Sequence, residues 1–222
     1  LKKKDIHRVN RIILDASAFK LESPPPGSQN TFNPYDAQSG ALAVNFNAIP
    51  FRVLNNRKIV PLEPQTPVLP MMSDIGENFS PGKYRLNVSA YTKRDKNNNI
   101  LRYSGELITA LFRDEGIQID RAYQVGKTTR SSRLIYIHEA EKTVAELVKL
   151  TLYYSSNFIA NQLFLSCGRR IHSFPATWKK ASDMAQQYLK VRLGFPPGTI
   201  SMVDGSGLST DNRISAQHML RI

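Results

Sequence analysis

The stretch Glu141-Lys142-Thr143-Val144-Ala145-Glu146-Leu147-Val148-Lys149-Leu150-Thr151-Leu152-Tyr153-Tyr154-Ser155-Ser156-Asn157-Phe158-Ile159-Ala160-Asn161-Gln162-Leu163 breaks its periodicity once. Val144, Leu147, Val148 and Leu150 fall near one face of a helix over 141–154. Ser155-Ser156-Asn157 interrupts that pattern, and an apolar helical pattern resumes over 158–165. Outward from this junction, a further helix is expected over 176–193, ended by Gly194-Phe195-Pro196-Pro197-Gly198. Upstream, Leu107, Ile108, Leu111 and Phe112 recur at helical spacing, with Gly116 as the C-cap before a strand at 117–119. The first hundred residues read instead as short strands at 11–14, 41–46, 51–53 and 84–91. They are separated by Pro24-Pro25-Pro26-Gly27, by the proline-rich run 61–67 and by a polar turn over 95–99. The fold class expected is α/β (α+β), with a β-rich first half and an α-rich second half.

Length and composition limit the alternatives. The 222 residues, 41% of them hydrophobic, can bury one sizeable core or two modest ones, so disorder is not the expected reading. No apolar run approaches the roughly 18 residues needed to cross a bilayer, so no transmembrane segment is expected. The chain opens on Leu1-Lys2-Lys3-Lys4 without an initiator Met, and Ile12-Ile13-Leu14 is too short for the core of a signal peptide. Localisation is therefore not read from this terminus. A single cysteine, Cys167, rules out an intrachain disulfide and a multi-thiolate zinc site, and it is expected to be a buried structural thiol. The formal charge of +12 implies attraction to anionic polymers. The basic residues lie singly or in pairs, without an arginine-rich helix or an RNA-binding aromatic signature, so nucleic acid is not the expected partner. Work beside anionic envelope polymers accounts for the same charge.

Most chemical motifs fail on inspection. Gly126-Lys127-Thr128 is the tail of a phosphate-binding loop, but Arg121 stands where the first glycine is required. His7, His138, His172 and His218 form no metal-ligand spacing, and no metal or organic cofactor is expected. No Gly-x-Ser-x-Gly elbow is present. A Ser-x-x-Lys turn on a helix would bring a lysine amine beside a serine hydroxyl. Its two matches are Ser17-Ala18-Phe19-Lys20, expected in a loop, and Ser80-Pro81-Gly82-Lys83, whose Pro-Gly forbids a helical turn.

The junction at Ser155-Ser156-Asn157 resembles the Ser-x-Asn motif of the class C low-molecular-mass penicillin-binding proteins, S13-like D-alanyl-D-alanine carboxypeptidases and endopeptidases. Its company strengthens the resemblance: Tyr103-Ser104-Gly105-Glu106-Leu107, Asp114-Glu115-Gly116-Ile117, Pro175-Ala176-Thr177-Trp178, and Val203-Asp204-Gly205-Ser206-Gly207-Leu208-Ser209 with Asn212-Arg213, in family order. The segments 12–19 and 41–47 resemble inserted non-catalytic modules of the same enzymes. The resemblance thus implies part of a β-lactamase/transpeptidase-like domain over 105–222, carrying a β-rich inserted module over 1–104.

By family role, a Ser-x-x-Lys serine attacks the D-Ala-D-Ala carbonyl to form an acyl-enzyme, and penicillin acylates the same serine. Ser155 would relay protons and Asn157 would hydrogen-bond the substrate amide, each contributing about 2 to 4 kcal/mol in the transition state. Read without the family, Ser155 is an N-cap and Asn157 a first-turn residue. Asp204, Gly205 and Ser206 are candidates for substrate contact, or for a structural turn that two glycines permit. Thr210 stands where members often place a substrate-binding arginine, which leaves Arg213 as the candidate substitute. Asp36, in Asn33-Pro34-Tyr35-Asp36, resembles a cleft-facing acidic position. The resemblance places the Ser-x-x-Lys and Lys-Thr-Gly segments outside residues 1–222, so this polypeptide alone is expected to be inactive. Implied partners are the peptidoglycan stem peptide and beta-lactam antibiotics, with a periplasmic or envelope location; oligomeric state is not implied. A non-catalytic cell-wall-binding module of the same fold is the alternative.

Overall fold

Ala48–Val53 forms a strand, β3, that is buried along almost its whole length. Before it come β1 (Arg8–Val9) and β2 (Ile13–Leu14), and after it β4 (Ile59–Pro61) and β5 (Gly82–Asn87). β3 is buried because it is the centre of an antiparallel sheet of order β4-β3-β5, with Phe51 paired to Pro61 on one side and Tyr84 on the other. The computed structural model describes residues 1–21, 24–91 and 99–222; of the turn expected over 95–99, residues 95–98 lie outside them and Asn99 is helical. Helices α1 (Pro70–Gly76) and α2 (Asn99–Asp114) complete this core, in which Ile49, Phe51, Met71, Met72, Ile75 and Tyr103 are fully buried. Gly116, with φ +72, ends α2 as its sequence position implies. The chain then adds β6 (Gln118–Ile119), parallel to β1, and β7 (Gln124–Val125), parallel to β2.

The second half is helical: α3 (Val144–Tyr154), α4 (Asn157–His172), α5 (Trp178–Leu193) and α6 (Ala216–Met219). α4 and α5 pack through Phe164, Leu165, Ala181 and Ala185, and the approach is close enough that Gly168 of α4 rests on the backbone of Ala181. Gly194, at φ +67, closes α5. α3 buries none of its residues, and Leu152, Tyr153 and Tyr154 are exposed.

The chain divides into two compact units that do not follow its linear order. One comprises 1–16, 32–37 and 41–140, and the other 17–31, 38–40 and 141–222. In the second unit Phe19 pairs with Ala176 in an isolated parallel bridge, and the Gln162 side chain exchanges two hydrogen bonds with the backbone of Gly40.

The expected mixture of strand and helix holds, with local differences. No strand forms at 41–46: Asn45, Phe46 and Asn47 are all left-handed, a conformation asparagine tolerates, and the Asn47 side chain accepts the Val44 N–H at 3.2 Å. The strand expected to reach residue 91 stops at Asn87, whose side chain caps a short 3₁₀ turn over Val88–Ala90. α1 has no counterpart in the sequence reading. Its own N-cap, Leu69, supplies no side-chain acceptor, and the Met71 N–H is instead capped at 2.8 Å by Glu106 of α2. Cys167 is exposed on α4 rather than buried, because the buried face of that helix passes through Phe164, Leu165 and Gly168.

Candidate active site

Thr143 and Glu146 open α3 with a reciprocal capping box. The Thr143 N–H and hydroxyl donate to the Glu146 carboxylate at 2.7 and 2.8 Å, and this holds the carboxyl below the usual range for glutamate. α3 ends at Ser155, which adopts the left-handed conformation (φ 50°, ψ 46°) that normally favours glycine. Ser156 then caps α4, its hydroxyl accepting the Ile159 N–H at 3.3 Å. The N-cap is therefore Ser156 rather than Ser155, while Asn157 is the first residue of α4, as a first-turn reading requires. Ser155 is exposed and Asn157 half-buried. The left-handed turn lets two helices meet with two residues between them, and it sets Ser155 and Asn157 on either side of a helix boundary.

Four residues further along α4, Asn161 is 2% exposed. Its Oδ1 accepts the N–H groups of Gly205 at 2.9 Å and Ser206 at 3.1 Å. Gly205 is required here by space: a β-carbon would lie 2.5 Å from the Ala160 carbonyl oxygen. Asp204, 1% exposed, accepts the N–H groups of Gly207 at 2.6 Å and Ser209 at 2.9 Å. Gly207 takes the positive φ (+79°) that the turn needs. Asn212 closes the other end by accepting the Val203 N–H at 2.8 Å, and Arg213 pairs with Ser201 beneath the loop, its side chain exposed. Asn157 and the candidates Asp204, Gly205 and Ser206 are thus joined through one helix. Asp36 is buried in a 3₁₀ turn (Pro34–Asp36) of the other unit.

Neither Ser-x-x-Lys match is helical. Ser17 and Ala18 form a turn, Phe19 bridges Ala176, and Ser80 leads into β5. His7 and His138 are exposed and His218 is half-buried, whereas the Nε2 of His172 is buried with no hydrogen-bond partner among the described residues. Among the described residues no group of three His, Cys, Asp or Glu could hold a metal ion, and no helix is long and apolar enough to cross a membrane. Sequence reading missed Asn161; its only signal was a polar residue inside an apolar run, one turn after Asn157.

The stretch 88–222 matches the D-Ala-D-Ala carboxypeptidase 3 (S13) family. The chain belongs to that family. Within this S13 family, the D-alanyl-D-alanine carboxypeptidase DacB of Haemophilus influenzae is 26% identical over 120 residues, 54% of this chain and 25% of that protein. The crystal structure of penicillin binding protein 4 (dacB) from the same organism superposes with a TM-score of 0.70 at 18% identity, covering 99% of this chain and 54% of its own. A second structure of that protein, in complex with a beta-lactam, gives 0.66 at 19% identity over 99% and 52%. This S13 chain therefore shares its mixed α/β fold with penicillin binding protein 4, and it spans about half the length of those solved relatives.

Proposed function

We propose that this S13 chain is part of a serine-type D-Ala-D-Ala carboxypeptidase/endopeptidase that acts on peptidoglycan stem peptides through an acyl-enzyme and is acylated by beta-lactams. The observation that carries the reading is the Ser155-Ser156-Asn157 junction inside the family-matched stretch, with Ser155 held in a left-handed conformation that costs a non-glycine residue about 1 kcal/mol or more. Strain of this kind at an exposed serine fits a functional residue better than a simple helix stop. Ser155 relays protons toward the nucleophile and Asn157 hydrogen-bonds the substrate amide. The loop 204–206 and Arg213 border the substrate. On this reading the nucleophile belongs to residues outside 1–222 and the 222-residue polypeptide alone is inactive, which the non-helical course of both Ser-x-x-Lys matches supports. The reaction site is the periplasm or outer envelope, where a net charge of +12 favours residence beside anionic polymers. That charge also suits a non-catalytic wall-binding module.

Intact mass after incubation with a fluorescent penicillin tests the reading on the 222-residue polypeptide and on a longer one extended at both ends. Covalent labelling is expected only in the longer form, with a slower rate in its Ser155→Ala variant. Labelling of neither would favour the wall-binding module, and labelling of the short form would place the nucleophile within residues 1–222.

A further inference from the structure

Seven consecutive backbone N–H groups, from Val203 to Ser209, donate to side chains of four residues. Val203 and Asp204 donate to Asn212, Gly205 and Ser206 to Asn161, Gly207 and Ser209 to Asp204, and Leu208 to the Ser206 hydroxyl at 3.3 Å. A loop folded this way has its donors committed inward, so a ligand meets its carbonyls and side chains rather than an N–H nest. Of the four acceptor residues, three belong to the loop or its close. Asn161 alone comes from a helix.

We infer that Asn161 is a positioning residue: it fixes the 204–209 loop to the turn of α4 directly after Asn157, so that both meet one substrate as a rigid pair. The inference rests on the peptidase reading above. Residues four apart on a helix lie about 6 Å apart along its axis, which makes Asn157 and Asn161 neighbours on one face. Two adjacent N–H groups converging on one buried oxygen fix the orientation of the Gly205–Ser206 peptide, and the amide Nδ2 faces the Ser206 hydroxyl at 3.5 Å. Without the Asn161 oxygen, those two N–H groups would be left unpaired against a helix whose Ala160 carbonyl already crowds Gly205. The loop would have to swing outward to find water, carrying Ser206 away from Asn157.

The test uses the longer, penicillin-reactive polypeptide and its Asn161→Ala, Asn161→Asp and Gly205→Ala variants. Penicillin stoichiometry counts folded sites, and rates are expressed per titrated site. Asn161→Ala is expected to lower kcat/KM for a D-Ala-D-Ala peptide by between about 10- and 100-fold, most of it in kcat, as for a misplaced contact group. Asn161→Asp keeps an acceptor oxygen and is expected to recover to within about threefold of the unaltered protein, a rescue that loss of folding would not show. If Asn161→Ala fails to fold, Gly205→Ala, which displaces the loop without touching Asn161, carries the same expected loss. Unchanged rates per site in either variant, or Asp no better than Ala, would overturn the positioning role while leaving the peptidase reading intact. Failure of the unaltered protein to react with penicillin would bring down both.

Discussion

Gly168→Ala sets two known effects against each other at the α4–α5 contact. Alanine is the better helix former by about 1 kcal/mol, so an unobstructed site would be stabilised. At this site the added β-carbon would lie 2.5 Å from the Ala181 Cα, 2.6 Å from its nitrogen and 3.0 Å from its Cβ. Carbon atoms settle at about 3.5 to 4.0 Å, so the helices must part by roughly 1 Å. The obstruction is backbone, which cannot rotate aside, and parting loosens Leu165, Ala181 and Ala185, all buried in this contact. Overpacking of this kind costs about 1 to 3 kcal/mol, and the crowding here is severe enough to place it at the upper end. After the propensity gain, a net loss of about 2 kcal/mol remains. Urea unfolding read by circular dichroism should show the midpoint falling by roughly 1 M, at a slope near 2 kcal/mol/M for a chain this size. A midpoint equal to or above that of the unaltered protein would refute the close approach of these helices, since propensity would then be the only term left.

Burial drives the Tyr103 phenol up to about 12 from an ordinary value of 10.0, with the hydrogen bond from Asn45 opposing it. The stability this confers is complete below pH 10 and is lost as pH rises through 12, by roughly 2 to 3 kcal/mol. Relative to Tyr103→Phe, the unaltered protein should therefore lose urea stability between pH 10 and 12, and parallel profiles would contradict this. Glu106→Ala removes the acceptor of the Met71 N–H and one partner of Arg102, whose other partner is Asp74. Burial alone would lower the Arg102 pKa, but the two carboxylates outweigh it and hold the guanidinium above its ordinary value. Loss of Glu106 should lower unfolding free energy by about 2 to 3 kcal/mol, measured as the urea midpoint, and a loss below about 0.5 would show the α1 cap to be dispensable.

The helices expected over 141–154, 158–165 and 176–193 were legible from their apolar periodicity, but the second runs on to His172, beyond the apolar run that marked it. Ser155-Ser156-Asn157 was legible as a break, though which serine caps α4 depends on backbone angles that no pattern encodes. α1 escaped because its cap is Glu106, a residue distant in the chain, so the local sequence holds only part of the reason for the helix. The strand expected at 41–46 failed for the opposite reason: alternation is visible in Val44, Asn45, Phe46 and Asn47, but the left-handed tolerance of asparagine decides the outcome. At the candidate site, the residue types of the 203–212 turn were readable, whereas the inward direction of its N–H groups and the role of Asn161 needed coordinates.

The interleaved path of the chain bears on how this protein can be cut into pieces. Excising 88–222, the family-matched stretch, would discard Phe19, Leu21 and Gly40. Ala176 would then lose its bridge partner and Gln162 its two backbone hydrogen bonds, while the cluster around Leu165 would lose part of its cover. Supplied as a separate peptide, 17–40 would have to be captured at a bimolecular cost, whereas the intact chain closes the same 122-residue loop from Gly40 to Gln162 for an entropy of about 4 kcal/mol. A short N-terminal segment thus acts as a tether for a helical layer encoded more than a hundred residues later.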